Sequence, residues 1–579
     1  MKSRCTEHAY RKAVLPVAVG MALAMIGQAN AVQLTEEGAD LSIRWDNSVR
    51  YNAGWRMQNP KSDLAAPTSN IFATEQKFQK NDMVTNRVNL LSELDLVYKG
   101  QSGLRVSASA WYDKVYDDHT MPQNPYFIGG QYPGEISRYY NGPSGEFLDA
   151  FAFTKFTLGE VPVNLKLGQH TVLWGETLFS LADGVSAGQS YVDLRKAIAT
   201  PGAEAKELFK PLPQLSFSAQ VSSELAVMGQ YFFDFRPDLV PLGGTYFAPV
   251  DFLTYTGTTV VNPLVNWQGV QYNGMKKRGD WGVGAKWSPQ WLDGTAGLYY
   301  REYTPKNSGA LAVNSAGSGL AGGSGPAVGG MWFDPAAPRT KLLGLSLGKT
   351  IGGVSIGTDL TYRKDATLQT KAFTIIGGPS YPLSAPATGS ANGVSGWAPV
   401  GDIVTGTVNM VAYDGKRALY DSAILMAEFA FDYLRKVTAN SQNFGGEANC
   451  VVGTSDLNPG APNQGYFGCA TKSSYGISLL FQPTWFGVFP GTDLSMPIFF
   501  GRGLHGNSSV PILGQNNYMG SYSIGVTADV NRKYNLALKF NGQLYKRNIN
   551  SATGVPFSNA ALGDFSDRNW LSFTAKVAF

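Results

Sequence analysis

Apolar and polar residues alternate along much of this chain. Between residues 41 and 57 most apolar and aromatic side chains occupy one parity, while the charged side chains occupy the other. An α-helix would scatter these charges around its circumference, whereas a period of two places them on one face of a strand. The C-terminal stretch LSFTAKVAF repeats the pattern and ends on Phe579. Both ends of the chain therefore predict strands with one apolar and one polar face.

Short polar turns join many of the predicted strands, and longer connections rich in Gly, Ala, Ser and Asn join others. The short turns include 101–103, 222–224 and 531–533, and the long connections include 305–338, 366–414 and 435–473. Further strands are expected at 163–173 and, with weaker alternation, at 145–158, 245–275, 390–412 and 495–515. The sequence predicts an all-β fold: a transmembrane antiparallel up-and-down β-barrel of about 14 to 18 strands with long extracellular loops.

The C-terminal strand must pair with the first strand, because an open sheet edge cannot stand in hydrocarbon. Parity then places Phe573 against lipid and Phe579 at the membrane interface. A terminal aromatic residue on such a strand is similar to the signal that the outer-membrane assembly machinery of Gram-negative bacteria recognises. Outer-membrane lipid and that machinery are therefore the first expected partners.

The N-terminal residues have the layout of a secretory signal peptide. Basic residues precede an apolar stretch from Ala13 to Ile26, and the small residues Ala29 and Ala31 follow it. The apolar stretch is shorter than the roughly 20 residues of a spanning helix, so cleavage is expected between Ala31 and Val32. Residues 32–579 then form a single barrel domain. An N-terminal membrane anchor is the alternative.

Composition agrees with a large membrane barrel. The chain has 67 glycines, 12% aromatic and 16% charged residues, and its net charge of +4 approaches zero once the basic leader is removed. A near-neutral secreted chain gives no reason to expect a nucleic-acid partner. Cys450 and Cys469 remain in a Gly/Asn/Pro-rich segment, and in an oxidising compartment they are expected to form one loop disulfide. Two free thiols are the alternative.

One segment does not have the pattern of a barrel wall. Residues 193–210 contain Arg195 and Lys196, and a short helix is expected from Ala203 to Phe209 between Pro201-Gly202 and Pro211. We expect this helical insert to fold into the barrel as a constriction or plug. An ordinary surface loop is the alternative.

Several stretches resemble, in order, a family of proteobacterial outer-membrane β-barrel proteins known as domain-of-unknown-function family 1302. These stretches are WDNSVRYNAGWR, the segment from Gly168 to Glu176, the segment from Asp193 to Pro213, GTYF at 244–247 and GTDLSMPIFF at 491–500. Together they cover nearly the whole mature chain. The resemblance implies an outer-membrane barrel linked to the uptake or export of poorly soluble carbon compounds.

Strand parity and the helical insert, which contributes Arg195 and Lys196, select the candidate residues of the lumen. The basic candidates are Arg44, Arg50, Arg56, Lys166, Arg195 and Lys196; the acidic ones are Glu93, Asp95, Glu176, Asp359, Glu428 and Asp432; His170 and Trp174 complete the set. Arginines of this kind form the basic ladder of a porin constriction, and an aromatic ring can stack on a solute. The alternative is that these charges pair across the lumen and only rigidify the wall.

Catalysis is not expected. The histidines outside the leader are His119, His170 and His505, and no His/Cys/Asp cluster has metal-ligand spacing, so no metal or cofactor is predicted. The leading hypothesis is an outer-membrane channel or diffusion transporter for small organic solutes, hydrophobic ones included. The alternative is a non-conducting outer-membrane component that docks an export or envelope complex, or an inner-membrane transport partner.

Overall fold

The structure is a computed structural model, and it forms a closed antiparallel barrel of 18 strands. It describes residues 32–36, 38–62, 77–118, 120, 132, 134–248, 259–262, 265–271, 275, 278–306, 309–313, 327–334, 336–370, 374–376, 396–446, 469–510, 514–549, 556–558 and 565–579. The predicted fold class is confirmed. The predicted leader and its cleavage site lie outside the described residues, as does Cys450; Cys469 is disulfide-bonded.

The wall consists of β1 Leu41–Arg56, β2 Met83–Tyr98, β3 Ser102–Asp113, β4 Ser144–Leu158, β5 Val161–His170, β6 Leu212–Gln220, β7 Leu225–Phe232, β8 Trp281–Trp287, β9 Gly294–Tyr303, β10 Thr340–Ile351, β11 Val354–Thr367, β12 Val400–Asp414, β13 Ser422–Ala439, β14 Ser473–Phe489, β15 in two parts, Thr492–Ser495 and Ile498–His505, β16 Gly520–Val530, β17 Tyr534–Leu544 and β18 Trp570–Ala578. Each strand pairs with its sequence neighbour, as in an up-and-down meander.

Short helices and strands outside the wall complete the described structure. The α-helices are α1 Gly134–Ile136, α2 Leu194–Ala199 and α3 Ala205–Leu208; Ser137–Asn141 is a π-helix, and Lys114–Tyr116 and Ser441–Asn443 are 3-10 turns. The short strands are Val32–Gln33, Tyr191–Val192, Phe209–Lys210, Thr259–Asn262, Val265–Gln271, Gly309–Val313, Ala327–Trp332, Thr374–Ile376, Arg547–Ile549 and Pro556–Ser558. Within the described residues, no helix is both long and apolar enough to cross a membrane.

The first and last strands close the barrel. Strand β1 pairs with β18, with Arg50 opposite Lys576 and Asn52 opposite Thr574. Beyond the end of β18, Phe579 exchanges two backbone hydrogen bonds with Asn47, of 2.7 and 2.8 Å. No edge is left at this seam, as the alternation of the C-terminal stretch predicts.

The two faces of the wall differ in polarity. Large apolar side chains such as Leu298, Leu345 and Leu538 are exposed on the outside, whereas Arg301 and Asp359 are buried on the inside. A closed barrel with an even number of antiparallel strands and an apolar outer band is the architecture of bacterial outer-membrane proteins. The chain is therefore an outer-membrane β-barrel. Its short turns form the periplasmic end and its long connections the extracellular end.

Three details of the sequence prediction need correction. The strand expected at 163–173 ends at His170, so Trp174 and Glu176 lie beyond the wall. Within the described residues of 245–275 there is no barrel strand; Thr259–Asn262 and Val265–Gln271 belong instead to a separate five-stranded sheet. The helix expected from Ala203 is shorter, and α2 precedes it. In each case the bounds and the sheet of an element depend on packing between distant residues, which local alternation does not contain.

Candidate functional site

The connection between β5 and β6 folds into the barrel, and residues 171–211 are called the inward segment below. Its first helix, α2, begins after Asp193, whose carboxylate accepts the backbone N–H of Lys196. Its second helix, α3, begins after Glu204, whose backbone N–H donates to Glu207 at 2.9 Å. Gly202, with φ +75°, makes the turn between the two helices. Local capping and a turn that favours glycine therefore shape this part of the segment.

Glu428 on β13 holds one end of the inward segment. Its carboxylate accepts the backbone N–H groups of Leu178 at 2.6 Å, Phe179 at 3.1 Å and Ser180 at 2.6 Å. Hydrogen bonds to an ionised acceptor are roughly twice as strong as neutral ones. The segment is thus attached to β13 by its backbone rather than by particular side chains.

Asp359 on β11 binds the same part of the segment. Its carboxylate accepts the backbone N–H groups of Glu176 and Val185, each at 2.9 Å, and the hydroxyl of Thr177 at 2.9 Å. From β9, Arg301 donates to the carbonyl oxygen of Val185 at 2.8 Å. Donors and acceptors of the wall therefore satisfy the backbone of a segment that has no regular secondary structure here.

Arg50 on β1 holds the other end. Its guanidinium donates two hydrogen bonds to the carboxylate of Glu207, at 3.0 and 3.1 Å, and one to the carbonyl oxygen of Gly202 at 2.9 Å. The two side chains are only 3% and 1% exposed. Burial alone would raise the pKa of Glu207, but the Arg50 guanidinium lowers it to about 2. The pair is therefore ionised at neutral pH.

Further ion pairs fix the helices of the inward segment. Lys196 lies 2.6 Å from Glu146 on β4, and Lys576 on β18 lies 2.8 Å from Glu204. Other pairs join Lys206 to Glu93 and Lys210 to Glu146. Burial and the neighbouring Lys210 ammonium lower the pKa of Lys196 to about 8.

Because β11–β13 and β1–β4 lie on opposite arcs of the wall, the inward segment crosses the lumen. It does not fill the lumen along β15–β18. A cavity of about 290 Å³, the aromatic chamber, lies on the extracellular side of Ala197 and Ile198. A second cavity of about 420 Å³, the polar chamber, lies on the periplasmic side of Pro201 and Gly202. The segment narrows the space between the two.

The chambers differ in chemistry. The aromatic chamber is lined by the rings of Tyr246, Phe247, Phe499, Tyr545, Phe565 and Trp570. The polar chamber is lined mainly by Gln482, Thr484, Asp493, Thr527, Asp529, Asn535, Lys539 and Thr574. The extracellular chamber is therefore the more apolar of the two, and the periplasmic chamber the more polar.

The wall strand β17 connects the chambers. Asn541 and Gln543 line the aromatic chamber, and Asn535, Ala537 and Lys539 follow on the same face in the polar chamber. Because alternate residues of a strand share a face, this is one continuous row of lumenal side chains. Lys539 lies where this row passes from the aromatic chamber to the polar chamber.

Lys539 is a lumenal cation on this path. Across the described residues, no carboxylate lies within ion-pair distance of its ammonium group. Its side chain lies across Gly525 of β16, where a Cβ atom would collide with it. Gly525 thus provides the room that the lysine side chain occupies, and the charge remains available to a solute.

The predicted basic ladder is not one unit. Arg44 lies near the periplasmic end and pairs with Asp46 at 2.8 Å. Arg56 is fully buried near the extracellular end and pairs with Asp567 at 3.0 Å. Only Arg50 reaches the inward segment, so the three arginines serve three separate contacts.

The predicted acidic residues also separate into groups. Arg105 pairs with Glu93 at 2.5 Å and with Asp95 at 3.6 Å. Asp432 accepts the hydroxyl of Ser474 and the backbone N–H of Ser509, the latter at 3.3 Å, and so ties an extracellular connection to the wall. Asp95 lies opposite Arg44 in the β1–β2 ladder, but its ion-pair partner is Arg105.

The remaining candidates are spread over the segment and its surroundings. The ammonium of Lys166 lies 5.3 Å from the ring centroid of Phe151. His170 is buried, with Nε2 2.6 Å from the hydroxyl of Ser216. Glu176 lies 3.7 Å from Lys286.

Trp174 and Arg195 belong to the inward segment itself. Trp174 stacks on Tyr299 at a centroid distance of 5.7 Å. Arg195 pairs with Asp193 at 2.8 Å, and its guanidinium lies 4.1 Å from the ring centroid of Tyr139. Both side chains fasten the segment and are not presented to the chambers.

Sequence reasoning did not select Glu146, Arg301 or Lys539. All three share a face with other lumenal residues of their strands, so parity could have found them. Two GxSxG sequences were also missed, at 344–348 and 353–357. Both lie in the β10–β11 hairpin, and Ser346 bonds to the hydroxyl of Tyr299 at 3.1 Å. A nucleophile elbow requires a strand-to-helix turn, which this antiparallel hairpin does not provide.

A sequence profile of a family described as "Protein of unknown function (DUF1302)" matches residues 12–579. The chain belongs to this family. No curated protein sequence matches it. Among the described residues, no group of three or more His, Cys, Asp or Glu side chains could hold a metal ion.

Solved structures with a similar overall fold are outer-membrane proteins. OpdK of Pseudomonas aeruginosa, determined with vanillate, is 9% identical; the alignment covers 93% of this chain and 98% of OpdK, with a TM-score of 0.39. OccAB1 of Acinetobacter baumannii is 10% identical over 96% of this chain and 99% of its own, with a TM-score of 0.41. The outer-membrane channel DcaP of Acinetobacter baumannii is 10% identical; the alignment covers 95% of this chain and 100% of DcaP, with a TM-score of 0.34.

Proposed function

We propose that this protein is an outer-membrane channel for small organic molecules, hydrophobic ones included. The path runs between the inward segment and the wall formed by β14–β18. The observation that carries the proposal is the continuous row of lumenal residues on β17, from Gln543 through Lys539 to Asn535, which joins two chambers on opposite sides of the segment. A barrel filled by its own insert would leave no such row free.

The sizes of the chambers support a small solute. Binding cavities for small molecules are typically about 300 to 1,000 Å³, and a water occupies about 30 Å³ of the liquid. The chambers of about 290 and 420 Å³ therefore suit one small organic molecule each. Aromatic walls favour apolar solutes, because transfer of apolar surface from water is favourable.

We also propose how the chain matures and that it has no catalytic activity. The leader is removed between Ala31 and Val32, and the mature chain is inserted by the outer-membrane assembly machinery, with lipid and a small organic solute as its partners. The protein is not an enzyme: its buried polar groups hold the inward segment in place, and neither GxSxG serine occupies a nucleophile elbow.

Single-channel recording in planar bilayers tests the proposal. The purified barrel should open, and Thr527→Trp, which places a large ring in the polar chamber, should reduce its conductance. Val526→Trp is the matched control, because Val526 faces outward and is 49% exposed. Absence of openings from a correctly folded wild-type barrel would overturn the proposal and favour a non-conducting component that docks an envelope or inner-membrane partner.

A further inference from the structure

We infer that the solute of this channel is an aromatic acid, whose ring occupies the aromatic chamber while its carboxylate binds Lys539. The inference rests on the proposed function and names the class of its substrate. Two features carry it. One is a chamber walled by aromatic rings; the other, two residues further along β17, is the ammonium group of Lys539, which has no carboxylate within ion-pair distance among the described residues.

The aromatic chamber offers both faces and edges of rings. Phe247 and Trp570 meet edge-to-face at a centroid distance of 5.1 Å, and Tyr545 and Phe565 do so at 5.6 Å. Aromatic pairs prefer such offset and edge-to-face arrangements, so a flat solute ring finds complementary surfaces. Ile198 of α2 adds an aliphatic contact on the side of the inward segment.

The distance from the aromatic chamber to the ammonium group of Lys539 suits an acid with a short link between its ring and its carboxylate. Lys539 is two residues from Asn541 on the same face of β17, a rise of about 7 Å. A ring held beside Asn541 therefore brings a carboxylate on a short tether to the ammonium group. Such a contact is a charge-assisted hydrogen bond inside a narrow, partly dehydrated passage, where it is stronger than in bulk water.

The other charged residues near the path do not pair with Lys539. Lys576 and Arg50 are neutralised by Glu204 and Glu207 of the inward segment. Arg568, in the wall of the aromatic chamber, donates to the carbonyl oxygens of Tyr246 and Ala248.

Two carboxylates lie at the periplasmic mouth. Asp493 and Asp529 face each other across β15 and β16, and Asp529 is opposite Asn535. Asn535 is four residues from Lys539, about 13 Å along the strand. This distance is far beyond ion-pair contact, so neither carboxylate pairs with the lysine. They repel an anion that has passed Lys539 and so favour its release.

Isothermal titration calorimetry on the detergent-folded, full-length mature protein tests the inference with three probes of one shape: benzoate, benzyl alcohol and benzylamine. Benzoate should bind most tightly. Lys539→Met should weaken benzoate binding by at least about tenfold and leave benzyl alcohol unchanged, because one charged hydrogen bond is lost. Lys533→Met, in the short turn after β16, is the matched control and should change neither. Phe499→Ala should weaken both benzoate and benzyl alcohol.

Equal affinity for the three probes, or benzoate binding unaffected by Lys539→Met, would overturn the inference. Bilayer recordings on the same preparations separate it from the channel proposal. Conduction by a wild-type barrel that does not bind benzoate overturns the inference alone. A barrel that binds benzoate through Lys539 but never conducts supports the ligand assignment and overturns the channel.

Discussion

The guanidinium of Arg50 on the first barrel strand binds the carboxylate of Glu207 on the inward segment through two hydrogen bonds, of 3.0 and 3.1 Å, although 157 positions separate the two residues. Both side chains of the pair are buried, and the pair lies beside the turn at Gly202, which borders the polar chamber. It therefore joins the closure seam of the barrel to the element that narrows its lumen.

Removing one partner of this pair should widen the path. Glu207→Gln leaves a buried, unpaired arginine, which in general costs about 3 to 5 kcal/mol, so the inward segment should detach part of the time. We expect a higher mean single-channel conductance and more frequent transitions between levels. Arg44→Gln is the control, because Arg44 is 57% exposed and such pairs contribute only about 0 to 1 kcal/mol. Wild-type conductance in a well-folded Glu207→Gln barrel would contradict this role of the pair.

The same pair predicts a defined response to acid. The pKa of Glu207 is about 2, below the value of about 4.3 of a free glutamate. The ion pair therefore stabilises the docked segment fully above about pH 4.3, and this contribution is lost as the pH falls toward 2. Conductance should be steady from about pH 7 to pH 5 and rise below about pH 4. An increase already at pH 6, or an unchanged acid response in Glu207→Gln, would speak against this assignment.

The anchor on β13 can be tested by hydrogen exchange. Glu428→Gln removes the charge that accepts three backbone N–H groups, at a cost of about 1.5 to 3 kcal/mol. Amides of 178–180 should then exchange faster by mass spectrometry, while those of the hydrogen-bonded wall strands remain protected. Asp414→Asn, at an exposed short turn, serves as the control. Equal protection of 178–180 in all three proteins would show that the segment does not depend on Glu428.

The two faces of β18 should respond differently to a charge. Phe573→Lys places an ammonium against lipid, at a cost of about 2 to 4 kcal/mol, and should lower the yield of folded barrel. Deletion of Phe579 should do the same, because it removes the hydrogen bonds to Asn47.

Thr574→Lys should still fold, because Thr574 lines the polar chamber. Thr574 is only 5% exposed and donates to Asn52 at 2.9 Å, so the longer lysine side chain must extend into the polar chamber. Heat-modifiable mobility of outer-membrane extracts measures all three variants. Normal assembly of Phe573→Lys together with failure of Thr574→Lys would show that the faces are inverted.

Protein purified from outer-membrane fractions should begin at Val32. The expectation rests on the basic residues, short apolar stretch and small residues that precede this position. Edman sequencing or terminal-peptide mass spectrometry provides the measurement. A chain that retains Met1 and fractionates with the inner membrane would show that the N-terminus is an anchor instead.

The architecture of the wall follows from the local pattern of apolar and polar residues. The side-chain period of a strand is two and depends only on the local backbone, so the apolar and polar parity of β1 and β18 can be assigned without knowing any partner. The need to satisfy every backbone group in lipid then requires closure, and β1 does pair with β18. The lumenal parity of Arg50, Asp359 and Glu428 follows from the same rule.

Which lumenal charges are used depends on the three-dimensional fold. The inward segment has neither period two nor a long helical repeat, and its position depends on Arg50, Glu428 and Asp359, which contact it from distant strands. Arg50 finds a carboxylate across the lumen and Arg44 finds one beside it, yet both have the same parity on β1. Lys539 keeps its charge available because Gly525 leaves room beside it and no described carboxylate reaches it. Pairing between residues far apart in the chain depends on distance in space, which a local pattern does not contain.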